Sequence, residues 1–215
     1  MNNKKNEYAL YLGPLKNDVI LALVTITPKS ISLKSQKFPQ NQISESLLNN
    51  VRQFLTQNNL SKNDINAIYV NNGPSRFNSD RLITLTAKTL ACFGRVPLYA
   101  MGNLELHLLA ANARAITIDV DQDNAFLAYK ENGQVKQFYL AKDKISRLLE
   151  TSRINPIKIP WMTIEEHQDI LLRTIQSFKL IEDPATLGAN YVKPPLKNDP
   201  KMHIDSSKVD SLKNE

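Results

Sequence analysis

The feature that most constrains the fold is an alternation of strand-like and helix-like segments between residues 65 and 113. The short apolar run at 65–70 precedes a loop and then a helix-like segment from about 80 to 93, which Gly94 ends. The run VPLYA and the segment NLELHLLAANA then repeat the strand–helix order. Strands that alternate with helices are joined by right-handed crossovers, so this region predicts an α/β fold.

Three β-rich runs precede this region, at residues 8–12, 19–26 and 31–38, and together they predict an antiparallel meander. The segment QISESLLNNVRQFLTQNN, which follows the meander, shows the helical repeat of an amphipathic helix. Its apolar stripe consists of Ile43, Leu47, Leu48, Val51, Phe54 and Leu55. The first part of the chain therefore predicts a mixed sheet with helices.

The pattern of three strands returns at ITIDV, NAFLAYK and QVKQFYLA. Asn132 and Gly133 separate the last two runs, and Asn-Gly between strand-like runs is a strong hairpin signal. Two helix-like segments follow, KDKISRLLE and TIEEHQDILLRTIQSFKL, and Thr163 and Glu166 form a capping box at the start of the second. The repetition predicts two related halves.

We therefore divide the chain into three parts. Residues 1–113 form an N-terminal lobe, and residues 114–195 form a reduced C-terminal lobe. From Pro194 onwards the chain is rich in Pro, Lys, Asp, Ser and Asn, so residues 196–215 are predicted to be a flexible polar tail.

The basic charge balance does not by itself identify a partner. The formal net charge is +6 and the sequence pI is about 9.3, which would suit a nucleic-acid ligand. However, the lysines are scattered, and aromatic residues do not alternate with basic ones as a stacking surface for single strands requires. No apolar run has the length of a signal-peptide core or of a membrane span, and Cys92 is the single cysteine. We expect a cytoplasmic protein without disulfides.

Metal and nucleophilic chemistry have little support in the sequence. His107, His167 and His203 lie far apart without ligand spacing, so we expect packing or surface roles for them. Cys92 lies late in an apolar helix, where an inert buried thiol is expected. Asp119, at the end of a strand, is the one carboxylate that could act as a base or as a ligand in a cleft, although D-x-D-x-D is also typical of a solvated bend.

The loop NNGPSRFNSDR, at residues 71–81, allows three interpretations. Its backbone amides and the following helix N-terminus could bind a phosphate, with Arg76 and Arg81 adding charge. Alternatively, Gly73 and Pro74 only fix a tight turn, or the loop is a recognition surface. A single glycine argues against the first interpretation, because amides approach a phosphate closely only where side chains are absent.

Three blocks of the sequence, in order, resemble the TsaB (YeaZ-like) family. The first is INAIYVNNGPSRFNSDRLITLTAKTLACFGRVPLYAMGNLELHLLA, and the second, ITIDVDQDNAFLAYKENGQV, is similar to the family's second-lobe opening. The third, ANYVKPPLKND, resembles the closing segment of the family, with Tyr191 at its tyrosine and Lys193 in place of its arginine. The resemblance covers nearly the whole chain up to about residue 195.

This resemblance implies a fold and a role. The fold would be that of the actin-like ATPases (ASKHA, ribonuclease H-like), an α/β fold with two related lobes and mixed sheets. The role would be that of a non-catalytic subunit that binds a TsaD-like catalytic subunit during formation of threonylcarbamoyladenosine (t6A) in tRNA. A TsaE-like ATPase would be a further partner, the isolated chain would form a homodimer, and tRNA would be contacted only through the complex. The chain itself would hold no metal or cofactor, because its partner would bind ATP and magnesium.

The sequence departs from the family at the nucleotide cleft. The family loop is matched at Gly73, Pro74, Phe77 and Arg81. Asn71, Ser75, Ser79 and Ile83 stand where the family has glycines, and Gly13-Pro14 stands where the actin-like proteins have an acidic first-strand motif. These changes leave the apolar scaffold intact, so the resemblance implies a retained fold without cleft chemistry.

The family binds its catalytic subunit chiefly through the two helices of the first lobe, which implies a docking surface here. We assign seven residues to it: Leu47, Leu48, Val51, Phe54, Leu82, Leu85 and Leu90. An ordinary core role for the same helices is an equal alternative. Two further functions stay open, a small ATPase or phosphotransferase of this fold that uses Asp119 and the 71–81 loop, and a self-associating scaffold.

Overall fold

The computed structural model describes residues 7–15, 18–27, 30–39, 43–75, 77–152, 155–160 and 162–192. The predictions for Arg76, for Lys193 and for the tail at 196–215 lie outside these ranges, as does the side chain of Phe77. In chain order the strands and helices are β1 (Glu7–Pro14), β2 (Asp18–Ile26), β3 (Ile31–Pro39), α1 (Ile43–Gln57), β4 (Ile65–Asn71), α2 (Phe77–Gly94), β5 (Leu98–Met101), α3 (Asn103–Ala110), β6 (Ala115–Asp119), β7 (Asn124–Glu131), β8 (Gln134–Ala141), α4 (Lys142–Ser152), β9 (Ile157–Lys158), α5 (Ile164–Thr174) and β10 (Lys179–Ile181).

The first sheet is mixed and has the strand order β10-β5-β4-β1-β2-β3. Strands β1, β2 and β3 form the predicted antiparallel meander. Strand β4 pairs in parallel with β1, and β5 pairs in parallel with β4, as the predicted crossover connections require. The central strand β1 is buried on both faces: Leu10 and Leu12 belong to one core cluster, and Ala9 and Tyr11 to another. This alternation follows from the period of two along a strand.

Helices cover both faces of the first sheet. On one face α1 and α2 bury Leu47, Val51, Phe54 and Ile83 against the strands. On the other face α3 and α5 bury Leu106 and Leu171 together with Phe178. This helix–sheet–helix layering is what the apolar stripes of the sequence predict.

The second sheet has the strand order β8-β7-β6-β9. Its antiparallel β6–β7–β8 part confirms the predicted second meander, and the turn between β7 and β8 has positive φ at both Asn132 (48°) and Gly133 (77°). Helix α4 covers one face through Ile145, which packs with Leu127 and Tyr129. The short strand β9, parallel to β6, was not predicted.

Helix α3 lies between the two sheets. Leu106 packs into the core of the first sheet, whereas Leu104 and Leu108 pack into the core of the second. The segment NLELHLLA supplies apolar side chains on opposite sides of the helix, and a helix of this composition is stable only when it is enclosed. The two lobes therefore share α3 as a common wall.

The prediction of one helix over TIEEHQDILLRTIQSFKL is wrong at its C-terminal end. Helix α5 ends at Thr174, a 3-10 turn covers Ile175–Ser177, and β10 begins at Lys179. Strand β10 pairs with β5 at the edge of the first sheet, where it satisfies main-chain groups that would otherwise be unpaired. Ile175 and Phe178 continue the helical repeat of apolar residues. The long-range pairing of β10 with β5 nevertheless ends the helix before them. The lobe boundary between residues 113 and 114 remains a prediction. Helix α5 and strand β10 follow this boundary in the sequence, yet both pack on the first sheet.

Candidate functional site

The loop between β4 and α2 is closed by its own side chains. The backbone N–H of Gly73 donates a hydrogen bond to Asn71 Oδ1 (3.1 Å), and the N–H of Ser75 donates to Asp80 Oδ2 (2.6 Å). The Ser75 hydroxyl donates to the other oxygen of the same carboxylate. Two amides that an anion at the N-terminus of α2 would use are therefore already engaged.

Asp80 places its own carboxylate at the start of α2, where it accepts the Ser75 N–H. It is almost fully buried, and this burial raises its pKa to about 7, although the hydrogen bonds from Ser75 oppose the shift. A β-carbon at Gly73, where φ is +97°, would lie 2.6 Å from the carboxyl carbon of Asp80. The glycine that remains in this loop thus makes room for an internal carboxylate.

The loop is also attached to α3 through Asn103. The Asn103 N–H donates to Gly73 O (2.6 Å), and its side-chain amide donates to Pro74 O (3.2 Å). Asn71 Nδ2 in turn donates to Asn103 Oδ1 (2.9 Å), and both asparagines are buried. Asn71, which we treated only as a missing glycine, is therefore a structural residue of the loop.

A closing strap, defined as residues 188–190, crosses the loop from outside. Asn190 N–H donates to Asn72 O (2.8 Å), and Asn72 Nδ2 donates to Gly188 O (3.0 Å). Asn190 Nδ2 also donates to Gln137 Oε1 (2.9 Å), which links the strap to β8 of the second sheet. The strap thereby connects the loop to both lobes.

Tyr191 follows the strap and lies near the first turn of α2. Partial burial raises the pKa of Tyr191, while the charge of Arg81 lowers it and that of Asp80 raises it. The structure thus brings together Tyr191 and Arg81, which we predicted separately from the closing motif and from the loop. Lys193, the other predicted residue of that motif, lies outside the described ranges.

A chain of buried polar side chains extends from the loop into the first lobe. The Tyr11 hydroxyl is 2.7 Å from His167 Nε2, and Tyr11 also interacts with Asn71. Burial lowers the pKa of His167 to about 4 and that of His107 to about 3, and the proximity of the two rings adds to the second shift. The sequence predicted packing or surface roles for these histidines, and both are buried.

Gly13, which stands where the actin-like proteins have their acidic first-strand motif, leaves room for the side chain of Tyr11. A β-carbon there would overlap the Tyr11 hydroxyl, at 2.1 Å. Burial also raises the pKa of Tyr11, so its hydroxyl stays protonated and can donate a hydrogen bond. The space near the end of β1 is therefore filled by a tyrosine.

Asp119 lies at the end of β6 and forms ion pairs with two lysines. Its Oδ2 is 2.7 Å from Lys158 Nζ and 3.4 Å from Lys142 Nζ, and the hydrogen bond from Lys158 is the largest cause of its lowered pKa. Asp121 Oδ1 accepts the N–H groups of Asp123 and Asn124, which is the geometry of a polar bend. Among the residues that the structure describes, no three His, Cys, Asp or Glu side chains are grouped to hold a metal ion.

The seven residues assigned to the docking surface divide into three groups. Leu47, Val51 and Phe54 lie in the core, where they pack against the first sheet. Leu82 and Leu90 are half-buried and pack against that core. Leu48 and Leu85 are 52% and 55% exposed, although both are large apolar side chains.

A groove of about 740 Å³ opens between α1 and α2, and we call it the interhelix groove. Its floor is formed by Leu10, Ile65 and Ile68 of the sheet, and Leu48 and Phe93 belong to its lining. Phe93 is 88% exposed, and we did not assign it to the docking surface. Its position directly before the helix-ending Gly94, within an apolar segment, was the available signal.

No helix in the described part of the chain is long and apolar enough to cross a membrane.

The family model described as TsaD: tRNA N6-adenosine threonylcarbamoyltransferase matches residues 37–176. The uncharacterized protein MG208 of Mycoplasma genitalium is 27% identical over 193 residues, which cover 89% of this chain and 97% of that protein. Its homolog in Mycoplasma pneumoniae is 21% identical with the same coverage.

One solved structure is similar over nearly the whole fold. It is an uncharacterized protein from Pseudomonas aeruginosa with similarity to peptidase YEAZ, at a TM-score of 0.62 and 14% identity, and the match covers 87% of this chain and 100% of that one. Together with the two mixed sheets, this likeness confirms the predicted actin-like α/β fold.

Proposed function

We propose that this chain, which belongs to the family described as TsaD: tRNA N6-adenosine threonylcarbamoyltransferase, is a TsaB-type, non-catalytic subunit of t6A formation. In this proposal it binds a TsaD-like catalytic subunit through α1 and α2 and contacts tRNA only within the complex. A TsaE-like ATPase is a further proposed partner.

The observation that carries the proposal is the apolar surface of α1 and α2. Leu48, Leu85 and Phe93 each expose half or more of their surface, and Leu48 and Phe93 line the groove that reaches the sheet. Large exposed apolar side chains next to a groove are typical of a protein interface, because water would otherwise cover them at a free-energy cost. A docking role on this face explains the exposure.

The β4–α2 loop supports the non-catalytic part of the proposal. Nucleotide binding in such a loop needs free amides, but Asn71 and Asp80 accept the N–H groups of Gly73 and Ser75. A phosphate would also meet the partly ionised carboxylate of Asp80. In the second lobe, Asp119 forms ion pairs with two lysines and so is poorly suited to act as a base.

Co-expression with the TsaD-like subunit of the same organism tests the proposal. We expect the two chains to co-purify, and depletion of this chain to lower the t6A content of tRNA as measured by nucleoside mass spectrometry. Failure to form a complex, together with an unchanged t6A content after depletion, would refute the proposal.

A charge introduced on the exposed face of α2 should weaken the complex. Leu85→Asp places a carboxylate in an apolar interface, and we expect affinity for the TsaD-like subunit to fall by about a hundredfold. Leu172→Asp on α5 is the matched control, because Leu172 is also an exposed helical leucine but lies on the opposite face of the first sheet. Titration calorimetry on both variants measures the difference, and equal affinities would place the interface elsewhere.

A further inference from the structure

We propose that the interhelix groove selects an acidic, apolar segment of the partner subunit, whose carboxylates pair with Arg52 and Lys62. This inference rests on the proposed function and adds to it the chemistry of the partner surface.

The volume and the apolar lining of the groove determine how many apolar side chains the partner must insert. Leu10, Ile65 and Ile68 form its floor, and Leu55, Leu90 and Val96 also line it. The volume of about 740 Å³ is that of a site for a drug-sized molecule rather than for one side chain. A partner that fills the groove must therefore insert several apolar side chains from one segment.

Two cations determine the polar part of the partner. Arg52 on α1 and Lys62 in the 3-10 turn before β4 line the groove and are exposed, and the described lining contains no carboxylate. Asp64, the nearby acid in the same turn, accepts the N–H (2.9 Å) and the hydroxyl (2.8 Å) of Ser61 within a capping box. Across the described ranges no ion pair involves Arg52 or Lys62.

Arg52 and Lys62, which form no ion pair within the described residues, lie beside an apolar surface and make the groove selective by charge. A partner segment with carboxylates at its edges gains attraction on approach, whereas a basic segment would place like charges together. Charges at the edge of an interface act mainly on the association rate and its salt dependence. We therefore expect salt to weaken binding of this partner.

The lining favours a protein segment over RNA. Single-stranded nucleic acid binds where aromatic side chains alternate with basic ones, and Phe93 is the one aromatic residue of the described lining. The floor is apolar, so a phosphate backbone that reached the two cations would leave the floor uncovered. A mixed apolar and acidic surface matches both parts of the groove.

The test compares charge reversal in the groove with charge reversal elsewhere on the same sheet. The variant Arg52→Glu/Lys62→Glu changes two exposed residues of the lining, and Lys34→Glu/Lys37→Glu changes two exposed residues of the edge strand β3. Binding to the purified TsaD-like subunit is measured by calorimetry at about 50 and 300 mM NaCl, and circular dichroism checks that both variants fold.

We expect the groove variant to lose at least about tenfold in affinity at low salt and to lose its salt dependence. The β3 variant carries the same net charge and should bind within about twofold of the wild type. If the wild type binds but the two variants behave alike, the inference is wrong and the proposed function stands. If the wild type does not bind, the inference fails together with the docking part of the proposed function.

Discussion

At the residue scale, Gly73 shows how a residue of a family loop can be kept for a new reason. Its φ of +97° is accessible mainly to glycine, and a β-carbon would collide with the carboxyl group of Asp80. The residue therefore meets two independent requirements, one of backbone conformation and one of space.

These two requirements can be separated by mutation. Gly73→Ala should lower the free energy of unfolding by about 2–4 kcal/mol, because the methyl group adds a steric clash to the conformational cost. Gly133→Ala is the control, because Gly133 also has positive φ (77°) but nothing lies within 4 Å of its added β-carbon. Urea unfolding of the two variants measures the difference, and equal losses would show that Asp80 does not crowd this position.

The sequence was informative about which residues depart from the family and uninformative about what replaces them. It showed that Asn71 and Ser75 stand where the family has glycines, but not that the side chains of Asn71 and Asp80 close the loop. It could not show that Asn71 bonds Asn103, because that contact joins residues 32 positions apart. Contacts of this kind depend on the packed fold and leave no local pattern.

At the element scale, the capping box that begins α5 was predicted correctly, whereas the C-terminal end of the same helix was not. Thr163 and Glu166 form the predicted capping box, in which Thr163 Oγ1 accepts the Glu166 N–H (3.2 Å) and Glu166 Oε2 accepts the Thr163 N–H (2.8 Å). This motif is local, so four residues suffice to predict it. The end of α5 is set by pairing of β10 with β5, a partner about 80 positions away in the sequence.

The cap of α5 contributes a measurable part of the stability. Thr163→Ala removes the acceptor for the Glu166 N–H, and we expect a loss of about 1 kcal/mol in the free energy of unfolding. Thr56→Ala is the matched control, because the Thr56 hydroxyl only donates to a carbonyl within α1. The control should change stability by no more than about 0.5 kcal/mol in chemical denaturation. A similar loss in both variants would mean that the cap contributes nothing specific.

The docking helices show the limit of an apolar stripe as evidence. Seven leucine, valine and phenylalanine positions had the same hydrophobic character, yet three lie in the core and two are exposed. The difference depends on which side of each helix faces the sheet in the packed fold, and seven apolar residues of similar character do not reveal this. The exposed members, with Phe93, are the ones that now support the proposed interface.

At the scale of the whole molecule, the buried side chains of His107, His167 and Asp80 make the free energy of unfolding depend on pH. Unfolded histidine has a pKa of 6.5, whereas His107 and His167 have values of about 3 and about 4 in the fold. Their contribution is complete above pH 6.5 and is lost as the pH falls, because the unfolded chain takes up the protons. Each histidine contributes a slope of up to about 1.4 kcal/mol per pH unit.

Asp80 acts in the opposite direction, since its pKa rises from 3.8 to about 7 and its contribution is lost as the pH rises through this range.

We therefore expect the free energy of unfolding to fall between pH 6.5 and 4, because two histidines outweigh one carboxyl group. His107→Leu should make this fall shallower, since it removes one of the two depressed groups at a buried site of similar volume. Asp80→Asn should make the fall steeper, because it removes the opposing group. Urea titrations at pH 7.5, 5.5 and 4.5 measure all three slopes. A His107→Leu slope equal to that of the wild type would contradict this assignment.

The order of the strands and helices from β1 to α4 was predictable from the alternation of apolar segments, whereas β9 and β10 were not predicted. The relation between the two sheets was not, because it depends on which faces of α3 meet which core. A helix that contributes Leu104 and Leu108 to one core and Leu106 to the other joins the two lobes mechanically. Rotation of one lobe against the other would open at least one of the two cores. Because one helix serves both cores, we expect the two lobes to move as one body and to present a fixed surface to a partner.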